Sequence, residues 1–129
     1  MSSIEPGLTA TAEVTVGTAL TAVAIGSGSL EVFATPALVA LMEQAACACL
    51  AGRLEPGTTS VGVAIEVAHT AASPIGAQVT ATAQVVAVDG RRVDFKVAAA
   101  DDAGDIGHGT HRRVIVHRDR FLAKLAIRG

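Results

Sequence analysis

Apolar side chains recur along residues 34–53 in a pattern that predicts one long helix. Thr35 and Pro36 suit the N-cap and the first helical position, and Gly52 marks the end. The apolar residues cover two opposite sides of this helix: Leu38, Leu41, Met42, Ala45 and Cys49 on one, and Val39, Ala46, Cys47 and Leu50 on the other. A helix that is apolar nearly all round is typical of a buried position. We therefore expect a central helix that the rest of the chain encloses.

Elsewhere apolar and polar residues alternate with a period of two, which predicts strands. Before the helix, residues 10–25 form one or two strands with a break near Gly17, and residues 26–29 form a flexible connector. After the helix, the pattern predicts an antiparallel meander of four strands, at residues 59–70, 78–88, 92–100 and 106–117.

Two of these strands carry further signals. In residues 59–70 the odd-numbered positions from Val61 to His69 form the apolar row that should face inward. In the last strand, Gly107 and Gly109 indicate a bulge or a close approach of two backbones.

One helix that is apolar on all sides cannot be covered by a flat sheet. Either the sheet curls around the helix or a second copy of the chain covers the side that remains open. The sequence therefore predicts an α+β fold in which a curved antiparallel sheet wraps one long central helix. We expect a single domain over residues 1–129 that forms a homodimer.

Composition and charge restrict the functional class. Half of the 129 residues are apolar, but no stretch is long and uncharged enough to predict a membrane span, so a soluble cytoplasmic protein is expected. The net charge of −2 argues against nucleic-acid binding. Six of the ten Lys and Arg residues nevertheless lie between Arg112 and Arg128. They form either a solvated tail or a local phosphate-binding patch.

Three residues are candidates for chemistry. Glu43 is the only charged residue between Glu31 and Arg53, and a buried carboxylate requires a partner. His69 ends an inward-facing strand row, where it could compensate Glu43 as the second member of an acid–base pair. Thr35 lies about 12 Å along the helix from Glu43 and could flank the same substrate. Each also has a structural interpretation: helix cap for Thr35, ion pair for Glu43 and core histidine for His69.

The other histidines and the two cysteines give weaker indications of a functional role. His108, His111 and His117 lie in the last strand among arginines, and we interpret them as surface or interface residues without a metal. Cys47 and Cys49 are two residues apart on the helix, so they cannot pair with each other, and we expect buried free thiols.

Several segments together resemble the fluoroacetyl-CoA thioesterase family in order and spacing, from about Glu31 to Lys124. These segments are Phe33-Ala34-Thr35, Leu41-Met42-Glu43, Leu54-Glu55-Pro56-Gly57, VAHTAASP at 67–74, Asp89-Gly90-Arg91-Arg92 and GHGTHRR at 107–113. The resemblance implies a hot-dog fold and the hydrolysis of acyl-CoA thioesters. It also implies that CoA is part of the substrate and that no separate cofactor is needed.

The resemblance also implies roles for five residues. Thr35, Glu43 and His69 match the family's catalytic threonine, glutamate and histidine, whereas Gly62 and Arg113 match positions that contact the substrate. Hydrolysis would proceed by attack of Glu43 on the thioester, or of water that Glu43 or His69 activates, and the residues do not distinguish these routes.

One segment departs from the family. Members that act on fluoroacetyl-CoA carry phenylalanines in a lid just before the helix, where this chain has Gly26-Ser27-Gly28-Ser29. Another short acyl group would therefore fit equally well. Two alternative functions stay open: a binding module for acyl-CoA or a small ligand without catalysis, and a hot-dog enoyl-CoA hydratase or dehydratase.

Overall fold

The computed structural model describes residues 3–129 and places one long helix against a five-stranded antiparallel sheet. The elements are β1 (Thr9–Thr15), a 3-10 turn (Thr18–Leu20), α1 (Ala22–Ile25), α2 (Thr35–Leu50), β2 (Thr58–His69), β3 (Gln78–Asp89), β4 (Arg92–Asp101), β5 (Gly104–His117) and α3 (Arg118–Arg128). The central helix and the four strands after it are confirmed within about two residues at each end.

The strand order is β1-β3-β4-β5-β2, and every neighbouring pair is antiparallel. The predicted meander is therefore right for β3, β4 and β5 but wrong for β2, which crosses the sheet to pair with β5. Because β2 forms one edge of the sheet, its outer side lacks a strand partner within residues 3–129. The crossing places β2 next to the strand that carries His111 and Arg113.

Helix α2 packs one face against the sheet and leaves the other open. The residues of the packed face are Leu38, Leu41, Met42, Ala45, Ala46, Cys49 and Leu50, all buried. The open face carries Pro36, Ala40, Gln44, Cys47 and Ala48, all exposed. The expectation of a helix buried on every side is thus wrong for one chain, and Cys47 is an exposed thiol while Cys49 is buried.

The segment before α2 also differs from its prediction. Among residues 3–34 only Thr9–Thr15 forms a strand, and the 3-10 turn Thr18–Leu20 and α1 (Ala22–Ile25) follow it, with Thr21 extended between them. The Thr21 side chain accepts a hydrogen bond from the amide of Ala24, and Gly26 ends α1 in the left-handed conformation with φ of 86°. These two caps stabilise a helical turn in a segment whose alternation resembles a strand.

A bulge in β2 changes which side chains face the helix. The pairing with β5 runs from Gly62 opposite Arg113 to Ala64 opposite Arg112, so Val63 is an extra residue and is exposed. Before the bulge the even-numbered residues, including Gly62, face inward, and after it the odd-numbered ones do. The predicted inward row is therefore wrong at Val61 and Val63 and right from Ile65 to His69.

The glycines of β5 lie where β2 comes close. A Cβ added to Gly109 would clash with the carbonyl of Glu66, and one added to Gly107 would lie 3.0 Å from the carbonyl oxygen of Ala68. The predicted close approach is confirmed. After β5 the chain forms a helix, α3, which was not predicted from the sequence, and every residue of α3 is exposed. Within residues 3–129 no helix is long and apolar enough to cross a lipid bilayer.

Candidate active site

Thr35 begins α2 and contacts His69 at the end of β2. The N-cap is Ala34, one residue earlier than predicted, and the Thr35 side chain makes no capping bond. Its Oγ1 instead lies 2.8 Å from Nδ1 of His69. The hydroxyl is therefore available to a second group because the helix does not use it.

His69 is partly buried beside the ring of Phe33, which it meets edge-on with centroids 6.5 Å apart. Burial lowers its pKa, and the nearby backbone of Ala71 offsets part of this effect. The imidazole is therefore neutral at pH 7 and can accept a proton. Its Nε2 is buried without a hydrogen-bond partner among the described residues.

A small cavity of about 250 Å³ adjoins Thr35 and His69. Phe33 and Ser27 contribute to its wall, and the remaining lining residues are Ala22, Val32, Thr70, Ala71 and Ala72. Ser27 belongs to the connector in which the sequence lacks aromatic residues. The cavity is therefore lined mainly by small side chains.

Glu43 lies two turns further along α2, at the border of its open face. Its Oε2 is 3.6 Å from Nη1 of Arg113, and its side chain is 40% exposed. The expectation of a buried carboxylate compensated by His69 is wrong within one chain, because Glu43 pairs with Arg113 and His69 pairs with Thr35. No hydrogen bond or ion pair in residues 3–129 joins these two pairs.

Gly62 provides the space that the Glu43 carboxylate occupies. A Cβ at this position would lie 2.8 Å from Oε2 of Glu43, 3.2 Å from the His111 ring and 3.3 Å from Nη1 of Arg113. Any larger residue would displace the carboxylate. In the sequence, Gly62 was a candidate only because the chain resembles a thioesterase family. The structure adds a steric reason why this position is a glycine.

Arg113 is buried although it carries a charge, and the polar groups around it explain why this is tolerated. Its Nε donates to Oγ of Ser60 at 2.8 Å, its Nη2 donates to the Ser60 carbonyl at 3.2 Å, and its Nη1 lies 3.2 Å from Nε2 of His111. A buried guanidinium is stable where its N–H groups have acceptors. Arg113 therefore presents a fixed N–H group to Glu43.

Sequence reasoning missed Ser60 and His111. His111 is only 3% exposed within one chain, so its interpretation as a surface residue is wrong, and its interpretation as an interface residue stays a prediction. A signal was present, because residues two apart on a strand share a face and an inward Arg113 requires an inward His111. Ser60 and Gly62 are likewise two residues apart on β2, so an inward Gly62 requires an inward Ser60.

The remaining basic residues do not form one patch with Arg113. Arg112 points to the opposite face of β5, where its Nε donates to Asp94 at 2.7 Å. Arg118, Arg120, Lys124 and Arg128 lie on exposed α3. Within residues 3–129 no group of three or more metal-ligating side chains is close enough to hold a metal ion.

This arrangement can be compared with known proteins. A sequence model of the fluoroacetyl-CoA-specific thioesterase family matches residues 16–119. The fluoroacetyl-CoA thioesterase of Streptantibioticus cattleyicolor is 50% identical over 95 residues, which are 74% of this chain and 68% of that protein.

Solved structures of related proteins indicate the same family as the sequence comparison. The fluoroacetyl-CoA thioesterase FlK superimposes with a TM-score of 0.94 at 38% identity over 99% of both chains. A hot-dog-like protein from Thermanaerovibrio acidaminovorans has a TM-score of 0.87 at 30% identity, covering 95% of this chain and 91% of that one. The predicted hot-dog fold is confirmed, and the chain belongs to the fluoroacetyl-CoA-specific thioesterase family.

Proposed function

We propose that this protein hydrolyses a short-chain acyl-CoA thioester to the free acid and CoA. The observation that carries the proposal is the Glu43 carboxylate, which Arg113 holds at 3.6 Å and for which Gly62 leaves space. A carboxylate that is oriented and still 40% exposed can meet both substrate and water. Membership of a thioesterase family makes the thioester carbonyl its target.

In the proposed reaction, Glu43 attacks the carbonyl carbon directly or takes a proton from an attacking water. In both routes the C–S bond breaks and the CoA sulfur leaves as a thiol whose proton comes from water. Direct attack first leaves a mixed anhydride between the acyl group and Glu43, which water hydrolyses to the free acid and the Glu43 carboxylate, whereas attack by the activated water gives the free acid in the same step as the loss of CoA. Thr35 and His69 orient the acyl end or the attacking water, and the N–H groups of Gly62 or the start of α2 stabilise the oxyanion. No cofactor is required, since CoA is part of the substrate.

The proposed acyl group is short. The cavity beside Thr35 and His69 is about 250 Å³, which is below the ~300–1,000 Å³ that is usual for ligand pockets. The relatives whose names give a substrate are fluoroacetyl-CoA thioesterases. Because Ser27 stands where an aromatic lid would close the cavity, we propose that other short acyl groups are accepted as well.

The test is release of free thiol from a panel of short acyl-CoAs that includes acetyl-CoA and fluoroacetyl-CoA. Glu43→Gln is the matched variant, because the amide has the same shape but no charge, and about 100-fold or more of the rate should be lost. Circular dichroism and thermal unfolding should match the wild type. A variant with the wild-type rate would contradict the role of Glu43. Binding of acyl-CoA with no thiol release from any member would favour a binding module.

We also propose that the protein is a homodimer. The open face of α2 presents Pro36, Ala40, Cys47 and Ala48, and β2 offers a strand edge that has no partner within residues 3–129. A second copy would cover this small-residue face and extend the sheet. Ala48→Glu places a charge in the face and should yield monomers by sedimentation, whereas the wild type sediments as a dimer. A monomeric wild type at micromolar concentration would contradict the proposal.

A cytoplasmic location belongs to the same proposal. Cys47 and Cys49 are both free thiols, as is usual in a reducing compartment.

A further inference from the structure

His111 lies between β2 and β4 and is held by both. Its ring stacks on Phe95 of β4, with centroids 5.9 Å apart and planes inclined by 27°. Its Nδ1 is 2.8 Å from the carbonyl oxygen of Ala64 in β2. A carbonyl oxygen can only accept, so Nδ1 carries the proton and donates. This bond fixes both the ring orientation and the tautomer.

The other ring nitrogen, Nε2, is therefore a lone-pair acceptor in the neutral ring. It faces Nη1 of Arg113 at 3.2 Å. Burial lowers the pKa of His111, and the positive charge of Arg113 lowers it further. The hydrogen bond to Ala64 and the negative charge of Glu43 raise the pKa and offset part of this effect. The imidazole is therefore neutral at pH 7 and can accept from the guanidinium.

The β2 bulge aligns these partners. Gly62 before the bulge faces the Glu43 carboxylate, and Ala64 after it turns its carbonyl to His111. Ser60 accepts from Nε and Nη2 of Arg113. With Nε2 of His111 on one side of Nη1, the guanidinium plane is defined by groups on two strands. Nη1 then points toward Oε2 of Glu43 at 3.6 Å.

We propose that His111 is a positioning residue for thioester hydrolysis: its Nε2 lone pair fixes the Arg113 guanidinium so that Nη1 orients the Glu43 carboxylate. Without this acceptor, Nη1 would lose a buried partner and the guanidinium could turn about its bond to Nε. The Glu43 side chain, 40% exposed, would then sample rotamers directed into solvent. The inference rests on the proposed role of Glu43 in hydrolysis.

Two amide variants separate the two hydrogen bonds of the ring. The short amide of His111→Asn reaches the position of Nδ1 and can donate to Ala64, but it does not reach Arg113. The longer amide of His111→Gln reaches the position of Nε2 and can accept from Arg113. Both variants remove the stacked ring, so loss of packing affects them alike. We expect kcat to fall about tenfold in His111→Asn and to stay within about twofold in His111→Gln, with KM little changed in both.

A double-mutant cycle tests whether His111 acts through Arg113. In an Arg113→Met background, His111→Asn should lower kcat no further, because the group that it positions is already gone. An undiminished tenfold loss in that background would overturn the proposal, as would equal kcat values for the two His111 variants.

A second readout does not depend on turnover. NMR of the arginine side chain should show separate Nη1 and Nη2 signals for Arg113 in the wild type and in His111→Gln, and one averaged signal in His111→Asn. Separate signals in His111→Asn would overturn the positioning role even if the wild type hydrolysed no acyl-CoA. Failure of the proposed function would instead show as no thiol release with the wild-type NMR pattern intact.

Discussion

Thr35 and His69 share a hydrogen bond of 2.8 Å that joins the start of α2 to the end of β2. Ala34, not Thr35, is the N-cap of the helix, and among the described residues no side-chain capping bond is made there. The Thr35 hydroxyl is thus directed to an imidazole whose other nitrogen has no partner among the described residues. Since the helix does not need this hydroxyl, its removal should affect the reaction more than the fold.

Thr35→Val keeps the branched shape and removes the hydroxyl. We expect kcat/KM for a short acyl-CoA to fall roughly tenfold to 100-fold, since His69 loses the group that orients it. The free energy of unfolding should change by only about 0.5 kcal/mol, because Thr35 is exposed. Thiol release and thermal unfolding measure the two effects. Thr35→Ser retains a hydroxyl and should recover most of the activity; equal losses in both variants would show that the hydroxyl is not what matters.

Gly62→Ala should disable the Glu43 carboxylate without unfolding the chain. The added methyl would lie 2.8 Å from Oε2 of Glu43, which is the mobile end of a long side chain and can move away. We expect kcat to fall roughly tenfold to 100-fold by displacement of the carboxylate, with a stability cost of about 1 kcal/mol.

Gly17→Ala is the matched control for this substitution. It adds the same methyl where no atom of the described residues beyond the chain neighbours lies within 4 Å and where φ is −98°. It should leave both the rate and the stability unchanged. A comparable loss of activity in Gly17→Ala would contradict the steric explanation for Gly62.

Stability should decrease as the pH falls below about 6.5. Burial lowers the pKa of His69 and of His111 from their ordinary value of 6.5, so the unfolded chain binds protons more readily than the folded one. The folded state is therefore penalised as the pH falls from 6.5 through these lowered pKa values, and above 6.5 the penalty vanishes.

Thermal unfolding between pH 5 and pH 8 measures this dependence. His111→Gln should reduce it, because glutamine does not titrate. His108→Gln is the control, as His108 is exposed on the outer face of β5. An unchanged pH dependence in His111→Gln would contradict the buried neutral state of this imidazole.

The basic residues of α3 should contribute to binding the phosphates of CoA. The helix follows β5 directly, and Arg113 and His117 are about 13 Å apart along that strand, so α3 begins at a distance that the pantetheine arm can bridge. The double variant Arg120→Glu/Lys124→Glu should raise KM for an acyl-CoA several-fold, with a smaller effect at high salt.

KM for the matching acyl-pantetheine should not change, because that substrate lacks the nucleotide phosphates. Lys96→Glu reverses one charge in the middle of β4, half the change of charge in the double variant, and serves as the control. Equal effects of the α3 variant on both substrates would contradict phosphate binding.

Local pattern alone placed most of the elements. The apolar spacing of residues 34–53 predicted α2, and the alternation after it predicted β2 to β5, because helix and strand periods are properties of the chain itself. Gly107 and Gly109 likewise indicated a close approach of backbones, since only glycine leaves that space free. Thr35, Glu43 and His69 could be named from the residues themselves, whereas Gly62 was named only through the resemblance to the thioesterase family.

Tertiary structure decided which groups meet. The pairing of β2 with β5 and the extra residue at Val63 reversed the inward row and brought Gly62 under the Glu43 carboxylate. The same pairing buried His111 beside Arg113 and placed Arg113 where it forms an ion pair with Glu43. His69 forms its hydrogen bond with Thr35 instead. Strand order and a bulge depend on contacts between residues distant in sequence, so a period read along the chain does not contain them. The sequence thus determined the elements and the candidate residues, and the partnership among those residues followed from how the strands pack.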